Sequence, residues 1–361
     1  MTKSWLHCKN ILIIRADNMG DLIMSSPAIR ALKETFSAKI TVLTSSMAAG
    51  IVPAISEIDE VIVFDLPWVK AKETIASEAI FTLVQQLKQK RFDAVVIFTV
   101  FSQNPLPAAM IAYMAAIPLR LAYCRENPYD LLTNWVPDQE PYTFIQHQVL
   151  RDLRLVETIG ATTKDNRLHL NVPETISAAV NDQLKYKGVN VAKPWCIFHA
   201  GVSEKKREYP FGNWVEAARK LIDEKGFQIL FTGAPAEKEM CDKLAEAVGE
   251  NAFSVAGLFS LQEFIALIKN APIIVSVNTG SVHIAAAVNT PVVVLYAQTN
   301  PQHTPWMVPN RVLEYKVDTD SQSKNEVIQY LYKTVYNQPS GMPGPNEIFA
   351  AVVALLQETA R

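Results

Sequence analysis

Residues 272–287 read Pro272-Ile273-Ile274-Val275-Ser276-Val277-Asn278-Thr279-Gly280-Ser281-Val282-His283-Ile284-Ala285-Ala286-Ala287. The apolar run Pro272–Ser276 predicts a buried strand, Asn278-Thr279-Gly280 a turn, and the small residues beyond it a helix. A strand feeding a helix through such a turn offers free N–H groups and the positive end of the helix dipole to an anion, phosphate above all. Thr279 adds a hydroxyl and His283, one turn further on, an imidazole. Read as plain structure, these residues make a helix start whose histidine is a hydrogen-bonding fixture. Read as a site, they hold a phosphorylated ligand, with a nucleotide-sugar the foremost candidate.

Outward from this segment the same strand-then-helix unit recurs. In the first half, strands are expected at Asn10–Ile14, Lys39–Leu43, Glu60–Phe64, Asp93–Phe98 and Leu119–Tyr123, with helical spacing between them (Ala28, Ile29, Leu32, Phe36; Phe81, Val84, Leu87). In the second half, strands are expected at Trp195–His199, Phe227–Phe231, Ala252–Val255, Pro272–Ser276 and Val292–Tyr296. The helices there read as Trp214–Glu224, Ala236–Val248, Ser260–Lys269 and Ser281–Val288. Continuous apolar strands alternating with helices predict parallel sheets covered on both faces. The fold class is α/β, two Rossmann-like doubly wound domains facing each other across a cleft, with ligands beyond the carboxyl ends of the strands. The boundaries fall at 1–172 for the first domain, 173–194 for a polar linker, 195–345 for the second domain and 346–361 for a closing helix.

Bulk properties narrow the function. A chain of 361 residues exceeds what one core usually holds. Residues 1–180 carry 17 basic and 18 acidic side chains and the remainder carries the same, so no global field draws in nucleic acid. Cys8, Cys124, Cys196 and Cys241 are scattered without CxxC spacing, which argues against a disulfide framework or zinc site and for a reducing cytosol. Residues 1–10 are too polar for a signal peptide, and no apolar run approaches the ~18 residues of a membrane span. A cytoplasmic protein, at most peripheral on a membrane, is the expectation.

Several loops carry candidate chemistry. The first strand runs into Arg15-Ala16-Asp17-Asn18-Met19-Gly20-Asp21, a turn with one glycine where a dinucleotide site would show GxGxxG. It offers Asp17 and Asp21 instead. Asp21 is either a helix cap or a general base toward an acceptor hydroxyl, and Asp17, with Asn18, serves the turn or the acceptor. After the strand Trp195–His199 comes Ala200-Gly201-Val202-Ser203-Glu204-Lys205-Lys206-Arg207, whose cations suit a diphosphate or form a solvated basic loop. Glu237, after Phe231-Thr232-Gly233-Ala234-Pro235-Ala236, is either an acceptor for ribose hydroxyls or a cap. No metal cluster, GxSxG elbow or Walker loop stands out.

Taken together and in this order, these loops resemble glycosyltransferase family 9, the bacterial heptosyltransferases that build the inner core of lipopolysaccharide from ADP-heptose. The resemblance is carried by Ile13-Ile14-Arg15, Met19-Gly20-Asp21 and Pro27 to Leu32; by His147-Gln148-Val149 through Leu155 and Ile159-Gly160; and by Arg207-Glu208-Tyr209-Pro210, where members usually show Lys-x-Trp-Pro. It continues through Gly233 to Glu237, and through Asn278-Thr279-Gly280 with His283 and Ala285 to Ala287. It implies a GT-B architecture with an acceptor-binding first domain and a nucleotide-sugar-binding second domain. It also implies inversion at the anomeric carbon, no cofactor and no metal. Asp21 then falls on the family's base, Arg207 (or Lys206, with Ser203 nearby) on its phosphate-binding cation, and Glu237 on its ribose contact. Thr279, Gly280 and His283 fall on the donor turn. Asn278 stands where members usually carry aspartate; an amide both donates and accepts whereas a carboxylate only accepts, so donor hydroxyl recognition is expected to differ.

The resulting expectation is a glycosyltransferase that moves a sugar, a heptose from ADP-heptose foremost, onto a bacterial surface glycan such as lipopolysaccharide core. Its partners are an ADP-sugar donor and a glycan or glycolipid acceptor, with peripheral contact at the cytoplasmic face of the inner membrane. Two other readings stay open: a nucleotide-sugar epimerase or hydrolase of the same fold, and a non-catalytic sugar-nucleotide-binding protein.

Overall fold

A computed structural model describes residues 4–69, 75–202, 204–337 and 340–359. The chain divides into two compact units, Met1–Leu168 and His169–Arg361. The first holds β1 (Asn10–Ile14), α1 (Met19–Phe36), β2 (Lys39–Thr44), β3 (Glu60–Val63), α2 (Ser77–Lys90), β4 (Ala94–Ile97), α3 (Leu106–Met114), β5 (Leu119–Cys124), β6 (Asn134–Pro137) and α4 (Gln148–Glu157). The second holds α5 (Glu174–Tyr186), β7 (Trp195–His199), α6 (Phe211–Lys225), β8 (Gln228–Thr232), α7 (Lys238–Val248), β9 (Ala252–Ser254) and α8 (Leu261–Asn270). It continues with β10 (Ile274–Val277), α9 (Gly280–Ala287), β11 (Val292–Ala297), β12 (Asn310–Tyr315), α10 (Glu326–Thr334) and α11 (Pro345–Thr359).

Each unit is built on a six-stranded sheet, ordered β3-β2-β1-β4-β5-β6 and β12-β11-β10-β7-β8-β9, with every paired strand parallel. The two orders are the same doubly wound pattern. The chain reverses direction across the sheet between β1 and β4 in the first unit and between β7 and β10 in the second. Loops at such a reversal diverge to opposite faces and leave room for a ligand beyond the strand ends. The central strands are Ile, Val, Leu and Phe and are buried because helices cover both faces.

Helix α1 is buried almost all round and packs on α4. Its interior Pro27 cannot donate to the carbonyl of Ile23, and the Ser26 hydroxyl takes that carbonyl instead at 2.7 Å, so the helix continues through the proline. Residues 173–194, expected to join the domains, contain α5. This helix lies in the second unit: Val180 and Leu184 are buried, and Gln183 donates to Glu263 of α8 at 2.7 Å. The closing helix α11 packs on α6 and β12, burying Ile348, Val352 and Leu355.

Candidate active site

In the first unit the reversal point is a knot of buried charge. The chain leaves β1 at Arg15, whose guanidinium is 0% exposed. Its Nη2 donates to Asp21 Oδ1 at 3.1 Å, and its Nε lies 3.4 Å from Asp17 Oδ2. Asn18, not Asp21, is the N-cap of α1, and Asp21 sits in the first turn. Its second oxygen accepts from the Asn18 backbone N–H at 3.2 Å, so both oxygens are oriented and the residue is 6% exposed. The cap and base readings are thus compatible, since the cap contact uses one oxygen and fixes the carboxylate near the helix N-terminus.

Asp17 is tied to the loop after β4, where Gln103 Nε2 donates to its Oδ1. Burial pushes its pKa up to about 6, against the pull of Arg15 and with a further push from Asp21. Behind it lies Asp152 of α4, which accepts from Ser25 at 2.7 Å and Gln148 at 2.8 Å and is likewise raised by burial. Asp17, Asn18 and Asp21, picked out from the sequence as neighbours in one loop, are therefore brought together in space around a guanidinium that had been given no role.

In the second unit the reversal point joins the loop after β7 to the turn after β10. Arg207 Nη1 donates to the backbone carbonyl of Asn278 at 3.0 Å, a contact between residues 71 positions apart. Its Nη2 and the Lys206 ammonium both reach Glu204, at 3.2 and 3.4 Å. Tyr315 holds the loop from below by donating to the Arg207 carbonyl at 2.7 Å. Buried Tyr209 packs edge-on against Trp214 at 5.3 Å and anchors the end of the loop. Ser203 lies outside the described residues.

Strand β10 ends at Val277, so Asn278 is the first residue of the turn. Its amide Nδ2 donates to the Ala297 carbonyl at 3.1 Å and to Thr299 Oγ1 at 3.2 Å, while Oδ1 accepts from the Ala297 N–H at 3.2 Å. The side chain thus pins the β10–α9 turn to the end of β11. Thr279 caps α9, its hydroxyl 2.8 Å from that of Ser281, and Gly280 opens the helix. His283, one turn in and buried, stands edge-on to His303 with ring centroids 6.1 Å apart. Sequence reasoning missed His303, whose only signal was a histidine in the Pro-flanked loop after β11.

Glu237 closes its own turn: Oε2 accepts from the Ala234 N–H at 2.6 Å. The carboxylate also lies directly over Gly201, where a Cβ would come within 2.2 Å of it. A cavity of about 630 Å³ opens beside it, walled by Tyr209, Phe211, Trp214, Met240 and Leu244. That size and lining suit a small organic ligand. His199, at the end of β7, lies 2.9 Å from the Thr232 hydroxyl and is held neutral, burial pushing its pKa down to about 4. Among the described residues no group of three or more His, Cys, Asp or Glu side chains is placed to hold a metal ion, and no helix is long and apolar enough to cross a membrane.

Comparison with known proteins places this arrangement. Residues 80–333 match glycosyltransferase family 9 (heptosyltransferase). The lipopolysaccharide heptosyltransferase 2 of Escherichia coli (strain K12) is 25% identical over 304 residues, covering 82% of this chain and 84% of its own. Among solved structures, a glycosyltransferase family 9 protein of Veillonella parvula superposes with a TM-score of 0.79 at 18% identity over 99% of both chains. The E. coli ADP-heptose lipopolysaccharide heptosyltransferase II superposes with a TM-score of 0.73 at 22% identity, over 98% of this chain and 100% of its own. The fold is the GT-B class of these structures. The match spans well over half the chain, and the chain belongs to glycosyltransferase family 9: it is a glycosyltransferase.

Proposed function

We propose that this enzyme moves a heptose from ADP-heptose to a lipopolysaccharide core acceptor, with inversion and without a metal. The observation that carries the reading is the Arg207–Asn278 contact, which fastens a guanidinium to the turn that opens α9. A cation and a helix N-terminus at one strand-end turn make a receptor for a diphosphate.

In this mechanism the acceptor oxygen attacks the anomeric carbon and gives its proton to Asp21. The bond from that carbon to the diphosphate breaks, and its electron pair leaves on the nucleoside diphosphate. Arg207, Lys206 and the N–H groups at the start of α9 meet the charge that develops there, with Thr279 and His283 as added donors. Glu237 takes the ribose hydroxyls. Because Lys206 and Arg207 are bound to partly exposed Glu204, exchanging that partner for a phosphate costs little. In this reading the protein's own cations and helix N–H groups meet the leaving diphosphate, so activity is expected to survive chelation. A lipid-linked acceptor places the enzyme at the cytoplasmic face of the inner membrane.

The test is transfer from ADP-heptose to truncated lipopolysaccharide, with and without EDTA, in the wild type and in Asp21→Asn. Transfer should persist in EDTA and fall by roughly 10²–10⁴-fold in the variant, the range for a lost general base. Affinity for ADP should stay within about twofold, since a base outside the diphosphate site contributes less than ~0.4 kcal/mol to it. A variant that transfers normally removes Asp21 as the base.

A further inference from the structure

The first unit buries more acid than the proposed reaction uses. Beside Asp17, Arg15 and Asp21 stand Asp152 and Arg151 of α4, and Arg151 is itself held by Asp138 and Glu140, each at 2.8 Å. Arg125 also reaches Asp138, at 3.5 Å. The five carboxylates Asp17, Asp21, Asp138, Glu140 and Asp152 thus face the three guanidiniums Arg15, Arg125 and Arg151. A buried set with that excess holds a proton more readily than isolated acids do.

Geometry ranks the members. Asp138 and Glu140 have close hydrogen bonds from Arg151. Asp21 has one from Arg15 at 3.1 Å, whereas Asp17 has from that cation only the 3.4 Å approach of Nε, which makes no hydrogen bond, and otherwise accepts from the neutral amide of Gln103. Asp152 accepts from the neutral groups of Ser25 and Gln148. Of the acids that share Arg15 directly, Asp17 is the more weakly held, and burial pushes its pKa up to about 6. Asp17 and Asp21 compete for one guanidinium. When Asp17 is charged, Arg15 is divided between them and a like charge stands beside Asp21; when Asp17 is protonated, Arg15 serves Asp21 alone.

We propose that Asp17 and Asp21 form one coupled acid–base unit through Arg15, in which the charge on Asp17 makes Asp21 the stronger base toward the acceptor hydroxyl. The inference rests on Asp21 being the base. Arg15 and Asp17 are positioning residues. The proton still passes from the acceptor oxygen to Asp21, and Asp17 makes and breaks no bond in the transfer step.

The experiment is the pH dependence of kcat/KM from pH 5 to 8.5 with ADP-heptose and truncated lipopolysaccharide, for wild type, Asp17→Asn and Asp17→Glu. The wild type should show a rise of roughly 3–10-fold centred near pH 6, the size of a one- to two-unit gain in basicity at partial Brønsted sensitivity. Asp17→Asn should lack that rise and run at high pH near the wild-type rate at pH 5, and Asp17→Glu should restore it. If Asp17→Asn fails to unfold cooperatively in urea, Asp17→Ser replaces it with the same expectation. A structural role for Asp17 lowers the rate equally at every pH, and that outcome, or an unchanged rise in the variant, overturns the coupling. Loss of transfer in Asp21→Asn beside an unchanged rise in Asp17→Asn defeats only the coupling, whereas full activity in Asp21→Asn defeats the base assignment itself.

Discussion

The two reversal points share a topology and are built from opposite materials. In the first unit the loops after β1 and β4 meet through Asp17 and Gln103 around a fully buried guanidinium, and the side chains of Asp17 and Asp21 are 8% and 9% exposed. In the second, the loops after β7 and β10 meet through Arg207 and a backbone carbonyl, and the cations, 22% and 25% exposed, rest on a carboxylate that is 33% exposed. A base must keep its shape and basicity through turnover, which favours permanent, water-excluded partners. An anion receptor must surrender its cations to each arriving ligand, which favours partners that exchange cheaply. The contrast separates a built-in charge network from a loadable one.

Its sharpest break is Arg15→Met. Removing one member of a buried ion cluster leaves its acids uncompensated, and the expected destabilisation is about 3–5 kcal/mol, read as a lower urea midpoint. The matching change in the second unit, Arg207→Met, removes a partly exposed cation and should cost under about 1 kcal/mol while weakening ADP binding at least tenfold. Equal stability losses at the two sites would erase the distinction.

A smaller effect comes from Asp17 alone. Its folded pKa is raised to about 6 from the ordinary aspartate value of 3.8. The folded state therefore binds more protons than the unfolded state between those values, and this group's contribution to stability falls as pH rises through that window and levels off above about 6. The difference in unfolding free energy between wild type and Asp17→Asn should change across pH 4 to 6.5 by about 2–3 kcal/mol at the linkage rate of ~1.4 kcal/mol per pH unit. A flat difference curve would mean that Asp17 keeps its charge throughout.

Asn278→Asp tests the turn to which Arg207 is fastened. The amide donates to the Ala297 carbonyl and the Thr299 hydroxyl, and a carboxylate would set an acceptor against that carbonyl in a position only 8% exposed. The expected loss is about 1–3 kcal/mol at pH 7, shrinking at acid pH where a protonated carboxyl can donate again. If Asn278 instead reads the donor sugar, the substitution changes donor preference and leaves stability intact.

Asn278 also shows how far the sequence could be read. Its identity marked a departure at the turn between β10 and α9, but its bond to the end of β11 joins residues 19 positions apart and has no periodic signature. Arg15 was equally visible as a cation closing an apolar strand, and its three acidic neighbours converge only once α1 and α4 are packed. Ten strands were legible as short apolar runs, most of them continuous because they are buried on both faces. The two not foreseen, β6 and β12, each lie at one edge of a sheet: one ends in Pro137, and the other carries Arg311 and Glu314 on a half-buried surface. Helix α5 was read as linker because it buries little beyond Val180 and Leu184 and is held to α8 partly by the amides of Gln183 and Asn270.

The smallest expected effect lies at Gly201, where the second unit holds its own acid. A Cβ there meets all three atoms of the Glu237 carboxyl group within 2.4 Å, and these are the far end of a flexible side chain. In Gly201→Ala the carboxylate should therefore swing away and give up its contact with the Ala234 N–H. An exposed cap of this kind is worth about 1 kcal/mol or less, so the urea midpoint should move little. If Glu237 holds the ribose, its displacement should raise KM for ADP-heptose several-fold with kcat nearly unchanged, the signature of lost uniform binding. An unchanged KM would confine Glu237 to its turn. A fall in kcat with KM unchanged would instead mean that Gly201 and Glu237 act on the transition state, and the separation of a rigid, buried charge network in the first unit from exchangeable partners in the second would have to be redrawn at β8.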